Sequence, residues 1–540
     1  MRAARSAGIE DDELSGRLAR RLEAHLPDPR RWTRPTRHVL RDVSFDVPRG
    51  QVTALVGANG ADRTTLLRTL SGALAPSAES IEIEGRRSAV PRTPCPPVSR
   101  SCPPRLTTTL WEHGAHEHPP CRQRRAPPAA AGAVMSSVPL AQRAGGPDLA
   151  RGLSLLGIAL ANMVGWLHGR EWTVLLKQRE GTGLDRTVDV LVALLADNRG
   201  FPLFALLFGY GIGVLHRRSR DRGERPRRFI ARMGRRHLVL LGIGLGHAIL
   251  LFSGDILIAY AIIGMVVVLL ISRHRFALPL AGVLALPALG VWGWVDGTIG
   301  LTGQSGYPAA SAPTYLAALE IRAVEAVREI ALAVVSDIAL LTPMALGAIA
   351  ARIHLLEQVE TNRDLLIPLT RWGLLIGLLG AVPLTAVLVL DPGHAHLASA
   401  GALGVLGVLH QLSGLAGALG LAAGAALLAE RVRRRAAPGA LKTSVHGVEA
   451  LGTVSLSAYI AQSALYLALF PPYTLGLGAT AGSALTAGIA AAGWLAMIPL
   501  AIALHRRGRR GPLETVLRRL AGSSTPTPAA VAPTARGAGR

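Results

Sequence analysis

The chain has 540 residues, half of them hydrophobic, and a mean hydropathy of +0.34. That balance excludes a simple string of soluble domains and points to a polytopic membrane protein. A formal net charge of +23 raises nucleic acid as a partner. The arginines, however, form no basic face with interleaved aromatics; they cluster just outside apolar runs, where they set orientation, so no nucleic-acid partner is expected.

Residues before about Arg34 are polar and basic and carry no readable function. From His38 to Gly85 the pattern is a strand pair, a Gly-rich turn at Gly57 to Thr65 (GANGADRTT), then a helix. This resembles the opening of an ABC-transporter ATPase domain, a small, truncated α/β P-loop fragment. In a working phosphate loop, backbone N–H groups and the helix N-terminus cradle phosphate, a Lys neutralises it and a Ser or Thr holds magnesium. The resemblance would make Gly57, Gly60, Arg63, Thr64 and Thr65 the nucleotide-binding residues, with ATP and magnesium as cofactors of a competent loop. Asp62, however, aims a negative charge where phosphate would lie, and Arg63 stands in for the compact Lys ammonium. No LSGGQ-like signature, magnesium-binding Asp with catalytic Glu, or switch His follows. The expectation is a vestigial fragment without ATPase activity.

A Pro- and Arg-rich stretch follows, predicted to be a disordered linker. Its Cys95, Cys102, His113, His116, His118 and Cys121 match no standard zinc spacing, so no metal is expected. Met135 opens a segment that reads like a bacterial start ahead of a membrane domain, as though an ABC fragment had been joined to a separate protein. The expected layout is an ATPase-like fragment over 1–87, linker over 88–146, membrane domain over 147–522 and a disordered tail over 523–540.

Apolar runs and basic loops then alternate. Ten spans are expected: Leu153–His168, Arg199–Leu215, Leu238–Phe252, Ile256–Ile271, Ala277–Val295, Ile330–Ile353, Leu366–Leu390, Ala400–Ala429, Leu451–Phe470 and Ala484–Leu504. Loops on one side hold about 25 Lys and Arg against roughly 6 on the other. This predicts an all-α polytopic protein with about ten transmembrane helices, both termini cytoplasmic, multi-pass in the bacterial inner membrane and with the lipid bilayer as its partner. Asp255 then faces the outside.

Successive blocks in this region, among them FPLFALLFGYGIGVL, GLGHAILLFSGDILIAYAIIG, LGTVSLSAYIAQS and GPLETVLRR, resemble the YeiB family of bacterial inner-membrane proteins. The likeness runs from about Pro147 to Leu520. That family is distantly similar to membrane acyltransferases of about ten helices. The resemblance therefore implies transfer of an acyl or similar small group across the membrane, with acyl-CoA as donor and a small molecule of unknown identity as acceptor.

The costly polar groups are the site candidates, since ionisable side chains at membrane depth are kept for function or closely paired. His247 and Asp255, eight apart across a helix end, suit a base pair for acyl transfer or a proton relay; Asp255 also stands where an N-cap belongs, and His247 where it could bond a carbonyl. Arg151 opens the first span as an active-site or snorkelling Arg, and Asn162 is deep enough to need an interhelical partner. Arg199 is placed to pair with Asp255 or hold an anionic substrate. Tyr260 shares the hairpin with Asp255, and Asp337 is a plausible member of a polar pocket. Tyr459 and Gln462 form a polar stripe with Ser455. A carrier using His247, Asp255 and Asp337 as its relay is the competing reading. An ATP-driven transporter component is the third and lacks its motifs.

Overall fold

The computed structural model describes residues 82–83, 86–87, 145–434 and 439–522. The chain divides into two units, Met1–Ala126 and Pro127–Arg540. In the first, β1 (Glu82–Ile83) pairs antiparallel with β2 (Arg86–Arg87), Glu82 opposite Arg87. The phosphate-loop residues Gly57, Gly60, Arg63, Thr64 and Thr65 and the linker cysteines and histidines lie outside the described residues.

The second unit is helical, and every apolar run expected to span is helix. In order come α1 (Gly145–Asn162), α2 (Gly183–Leu195), α3 (Gly200–Asp221), α4 (Pro226–Leu250), α5 (Leu257–Arg273), α6 (Ala277–Leu284), α7 (Leu286–Thr298) and α8 (Tyr315–Ser336). They are followed by α9 (Leu341–Ala350), α10 (Arg363–Leu390), α11 (Ala400–Arg434), α12 (Gly439–Thr453), α13 (Ser455–Leu469), α14 (Leu477–Thr480), α15 (Ser483–Arg506) and α16 (Pro512–Leu520).

Among the described residues, six helical stretches are long and apolar enough to cross a membrane, and seven if the bent pair Tyr315–Ser336 and Ile338–Ile353 counts as one. The ten expected runs divide differently for local reasons. The run Ala277–Val295 is split near Ala285, just before Pro287, into α6 and α7. Ile330–Ile353 breaks at Asp337, where the chain turns by 51°. Leu257–Arg273 and Ser455–Leu469 are apolar but short, and the first half of α4 is rich in arginine. The segment preceding α3, between the first two expected spans, forms α2. Its start is fixed by a capping box in which Thr182 and Asp185 exchange hydrogen bonds.

Small residues let the helices close up. Side chains at Gly209 and Gly347 would each collide with the facing backbone: a Cβ at Gly347 would lie 1.8 Å from the Leu206 carbonyl oxygen and one at Gly209 2.0 Å from that of Met344. That contact seats α9 against α3. The largest buried cluster joins α1, α3, α4, α5, α9, α11 and α13, with Tyr210, Tyr260 and Tyr459 among its side chains.

The C-terminal α16 closes one end of this cluster. Its Glu514 reaches the start of α13, where Oε1 accepts from the N–H groups of Leu456 (2.8 Å) and Ser457 (3.2 Å) and Oε2 accepts from Ser457 Oγ at 2.5 Å. One helix thus supplies the N-terminal cap of another and satisfies donors that α13 leaves unbonded.

Candidate functional site

Between α1, α3, α4, α5, α13 and α16 lies a cavity of about 580 Å³. Seven arginines line it, Arg151, Arg218, Arg222, Arg236, Arg433, Arg510 and Arg518, against three carboxylates, Asp148, Glu357 and Glu514. Deeper in, the walls become Phe204, Phe208, Leu240, Leu257, Tyr260 and Tyr459. Charge at one end and aromatic surface at the other is the lining an anionic amphiphile requires.

The arginines are held by their surroundings. Arg151 donates to Asp148 Oδ1 at 2.7 Å, and Arg433 to Glu430 Oε2 at 2.5 Å. Behind them Arg217 pairs with Glu357, and Arg232 donates to Glu224 Oε2 at 2.7 Å. Burial alone would raise the Glu224 carboxyl, but hydrogen bonds from Arg232 and Ser219 outweigh it and hold the group below its ordinary value. Glu449, on α12 below the spans, has the opposite balance: burial first, then the charge of Asp148, push it up to about 7.

Among the lining side chains, Tyr459 has its ring 4.9 Å from that of His247. His247 Nδ1 is 2.7 Å from Asp255 Oδ1, both side chains fully buried. Its Nε2 is 2.8 Å from Ser463 Oγ on α13. The second Asp255 oxygen, Oδ2, accepts from the Ile258 N–H at 2.8 Å. Asp255 therefore both caps α5 and orients the histidine, one task per oxygen. With Asp255 as acceptor, neutral His247 carries its proton on Nδ1, which leaves Nε2 to accept from Ser463. An acid, an imidazole and a hydroxyl in this order are the parts of a nucleophile-activating relay.

The other candidates fall in three groups. Arg151, Tyr260 and Tyr459 line the cavity. Tyr260 donates to the Phe201 carbonyl at 3.2 Å, and the Tyr459 hydroxyl accepts from the Ile256 N–H at 3.4 Å. Gln462 stays beside the relay, its Nε2 donating to the Leu155 carbonyl at 3.3 Å. Asn162 is half-buried at the end of α1, and its side chain does not cap the 3-10 turn that follows. Asp337, at the α8 bend, accepts from Ser336 Oγ at 3.1 Å.

Arg199 corrects its expectation: it does not pair with Asp255. Its guanidinium is buried against backbone carbonyls, donating to Ala193 (3.2 Å), to Asp197 (2.6 Å) and to Gly377. It belongs to a second polar cluster. There Lys177 Nζ lies 2.8 Å from Asp197 Oδ2, too poorly aligned for a hydrogen bond but close enough for direct charge attraction. Asn198 Nδ2 donates to Asp296 Oδ2 at 2.8 Å and to His410 Nδ1 at 3.1 Å, and His410 Nε2 donates to the Ala193 carbonyl at 3.1 Å.

Sequence reasoning missed Ser463 and the arginine lining. Ser463 stands one turn beyond Tyr459 on the same stripe, a usable signal; its partner lies 216 residues away, which is not. Among the described residues no group of three or more His, Cys, Asp or Glu is placed to hold a metal ion.

A helical bundle with six to seven stretches fit to cross a membrane, a basic cavity and a buried acid–imidazole pair has the makeup of a polytopic membrane protein. Residues 350–523 match the family model described as a protein of unknown function (DUF418), and residues 40–105 match that of the ABC transporters, reproducing the expected two-part layout. The chain is similar to uncharacterized protein YxaH of Bacillus subtilis, 29% identical over 24% of this chain and 32% of that protein. It is also similar to hemin import ATP-binding protein HmuV of Nocardia farcinica, 40% identical over 13% of this chain and 24% of the relative. With ribose import ATP-binding protein RbsA 3 of Rhizobium meliloti it shares 49% identity over 9% of this chain and 10% of the relative. The chain thus spans about a third or less of these relatives.

Proposed function

We propose that this protein is an integral inner-membrane transferase that passes an acyl or similar small group from a cytoplasmic anionic donor toward an acceptor on the far side. Supporting it is the coincidence of a basic and aromatic cavity with His247, which lies ring to ring with the lining residue Tyr459 and is paired with Asp255. In this reading the ten helical runs cross the bilayer, both ends lie in the cytoplasm and the arginine-rich segments stay inside with the cavity mouth. The arginines hold the charged part of the donor, an acyl thioester such as acyl-CoA, and the aromatic end takes the acyl group. His247, oriented by Asp255, acts as the general base.

Incubation of purified protein with labelled acetyl-CoA tests it. Loss of label from CoA that falls at least 100-fold in Asp255→Asn is the expected result. Unchanged turnover in that variant, or none in the wild type, removes the transferase reading. A carrier is the second reading, favoured by Glu329, which stands within electrostatic reach of both Asp255 and Asp337. Proton-coupled uptake into vesicles without acyl turnover would select it.

A further inference from the structure

We infer that Ser463 is the nucleophile of this site and carries the transferred group as a covalent ester between two half-reactions. The inference rests on the transferase reading above and adds an acceptor within the protein itself. Ser463 Oγ is 2.8 Å from His247 Nε2, and His247 Nδ1 is 2.7 Å from Asp255 Oδ1. The three residues come from α13, α4 and the corner before α5, and each is at most 6% exposed. Three helices could be tied together by any buried hydrogen bond. A directed line of hydroxyl, imidazole and carboxylate beside a cavity-lining ring is also an arrangement able to take a proton off the hydroxyl.

Two further features fit the role. Tyr459 lies one turn before Ser463, lines the cavity and has its ring 4.9 Å from that of His247, so it is the lining side chain in contact with the relay. The Tyr459 hydroxyl accepts from the Ile256 N–H, and its own proton has no acceptor among the described residues. That proton is available for an oxyanion forming beside Ser463.

The chemistry balances with an acyl thioester as co-reactant. Ser463 Oγ gives its proton to His247 Nε2 and attacks the acyl carbonyl; the C–S bond breaks and the leaving thiolate takes the proton from His247. In the second half, an acceptor hydroxyl gives its proton to His247 and attacks the ester, and Ser463 leaves with that proton restored. Asp255 holds the imidazole in the required tautomer and stabilises the imidazolium.

Diisopropyl fluorophosphate tests the nucleophile without knowledge of the natural donor, since it forms a Ser–phosphorus bond with loss of fluoride. Peptide mass spectrometry of the full-length protein should find the adduct on Ser463, with a labelling rate at least tenfold lower in His247→Gln and Asp255→Asn. Absence of a Ser463 adduct in protein whose melting temperature shows it folded overturns the inference. So does thioester turnover that survives Ser463→Ala, and this outcome leaves His247 as a base acting directly on the acceptor. A Ser463 adduct with no turnover of any acyl thioester supports the nucleophile and removes the transferase reading instead. Ser463→Thr keeps a hydroxyl and controls for folding: it should label slowly, whereas a purely structural Ser463 gives a lowered melting temperature in Ser463→Ala and no adduct in any form.

Discussion

Two buried polar clusters sit in one helical bundle and differ in what surrounds them. In the first, Lys177 lies against Asp197, Asn198 bridges Asp296 to His410, and Arg199 and His410 donate to backbone carbonyls. Around His247 the acid and imidazole are equally buried, but the chain of bonds ends on a hydroxyl and lies against a cavity wall. The first arrangement ties helices to one another through charge and backbone contacts; the second ends on a hydroxyl and touches a side chain that lines a cavity. Buried ionisable residues alone therefore do not mark a site; contact with a cavity-lining side chain is what singles out His247.

The sharpest way to break that contrast is to remove one charge from the first cluster. Lys177→Met leaves Asp197 buried and uncompensated, with an expected loss of roughly 3–5 kcal/mol. Melting in detergent should show it, and the double change Lys177→Met with Asp197→Leu should recover most of the loss. Acyl turnover per folded molecule should be unchanged in that pair. If it collapses to the level expected of Asp255→Asn, the two clusters are not separate in function.

A smaller effect is expected at the cavity mouth. Arg218→Ala removes one of the cationic side chains lining it and should weaken binding of a phosphate-bearing thioester by about tenfold. The remaining affinity should depend less steeply on salt. Titration at two ionic strengths reads both effects.

The α13 cap comes next. Glu514→Gln keeps the shape but loses the charge that accepts from Leu456, Ser457 and the Ser457 hydroxyl, which should cost about 1–2 kcal/mol. Because α13 carries Tyr459 and Ser463, the fluorophosphate labelling rate should fall with it.

The smallest effect is a pH dependence. Glu449 has its carboxyl pushed up to about 7, above its unfolded value, so between about pH 4.5 and 7 the folded state holds the proton more tightly. Stability is favoured at the acid end of that window and falls as pH rises through 7. Glu449→Gln should match the wild type near pH 4.5 and melt higher at pH 8, by about 1 kcal/mol, because Glu449 is partly exposed and solvent screens most of the full shift. A wild-type protein that gains stability over this window contradicts the assignment.

Much of this was legible in the sequence. Apolar run length marks the helical positions, and the eight-residue spacing across a helix corner brings His247 to Asp255. What was not legible depends on distant contacts. Ser463 is one serine among several on its helix until α13 is laid beside α4, and Arg199 looks like a partner for Asp255 until its guanidinium is seen spent on carbonyls of Ala193, Asp197 and Gly377. The arginines could be read as orientation signals, but only packing gathers those of α1, α3, α4, α11 and α16 around one cavity. The α2 helix was hidden because Asp185 and Asp189 interrupt its apolar pattern; Asp185 turns out to be a cap and to accept from the Ala484 N–H at 2.9 Å.

Photo-cross-linking with an acyl thioester that carries a diazirine at the end of its acyl chain locates the donor most directly. Cross-links on Leu257, Tyr260 or Tyr459, competed by unlabelled thioester and weakened in Arg218→Ala, are expected if the cavity delivers the acyl group to His247. Specific cross-links on α2 or α11 near Lys177 and His410, with none at the cavity end, would place the chemistry at the other cluster and contradict the account.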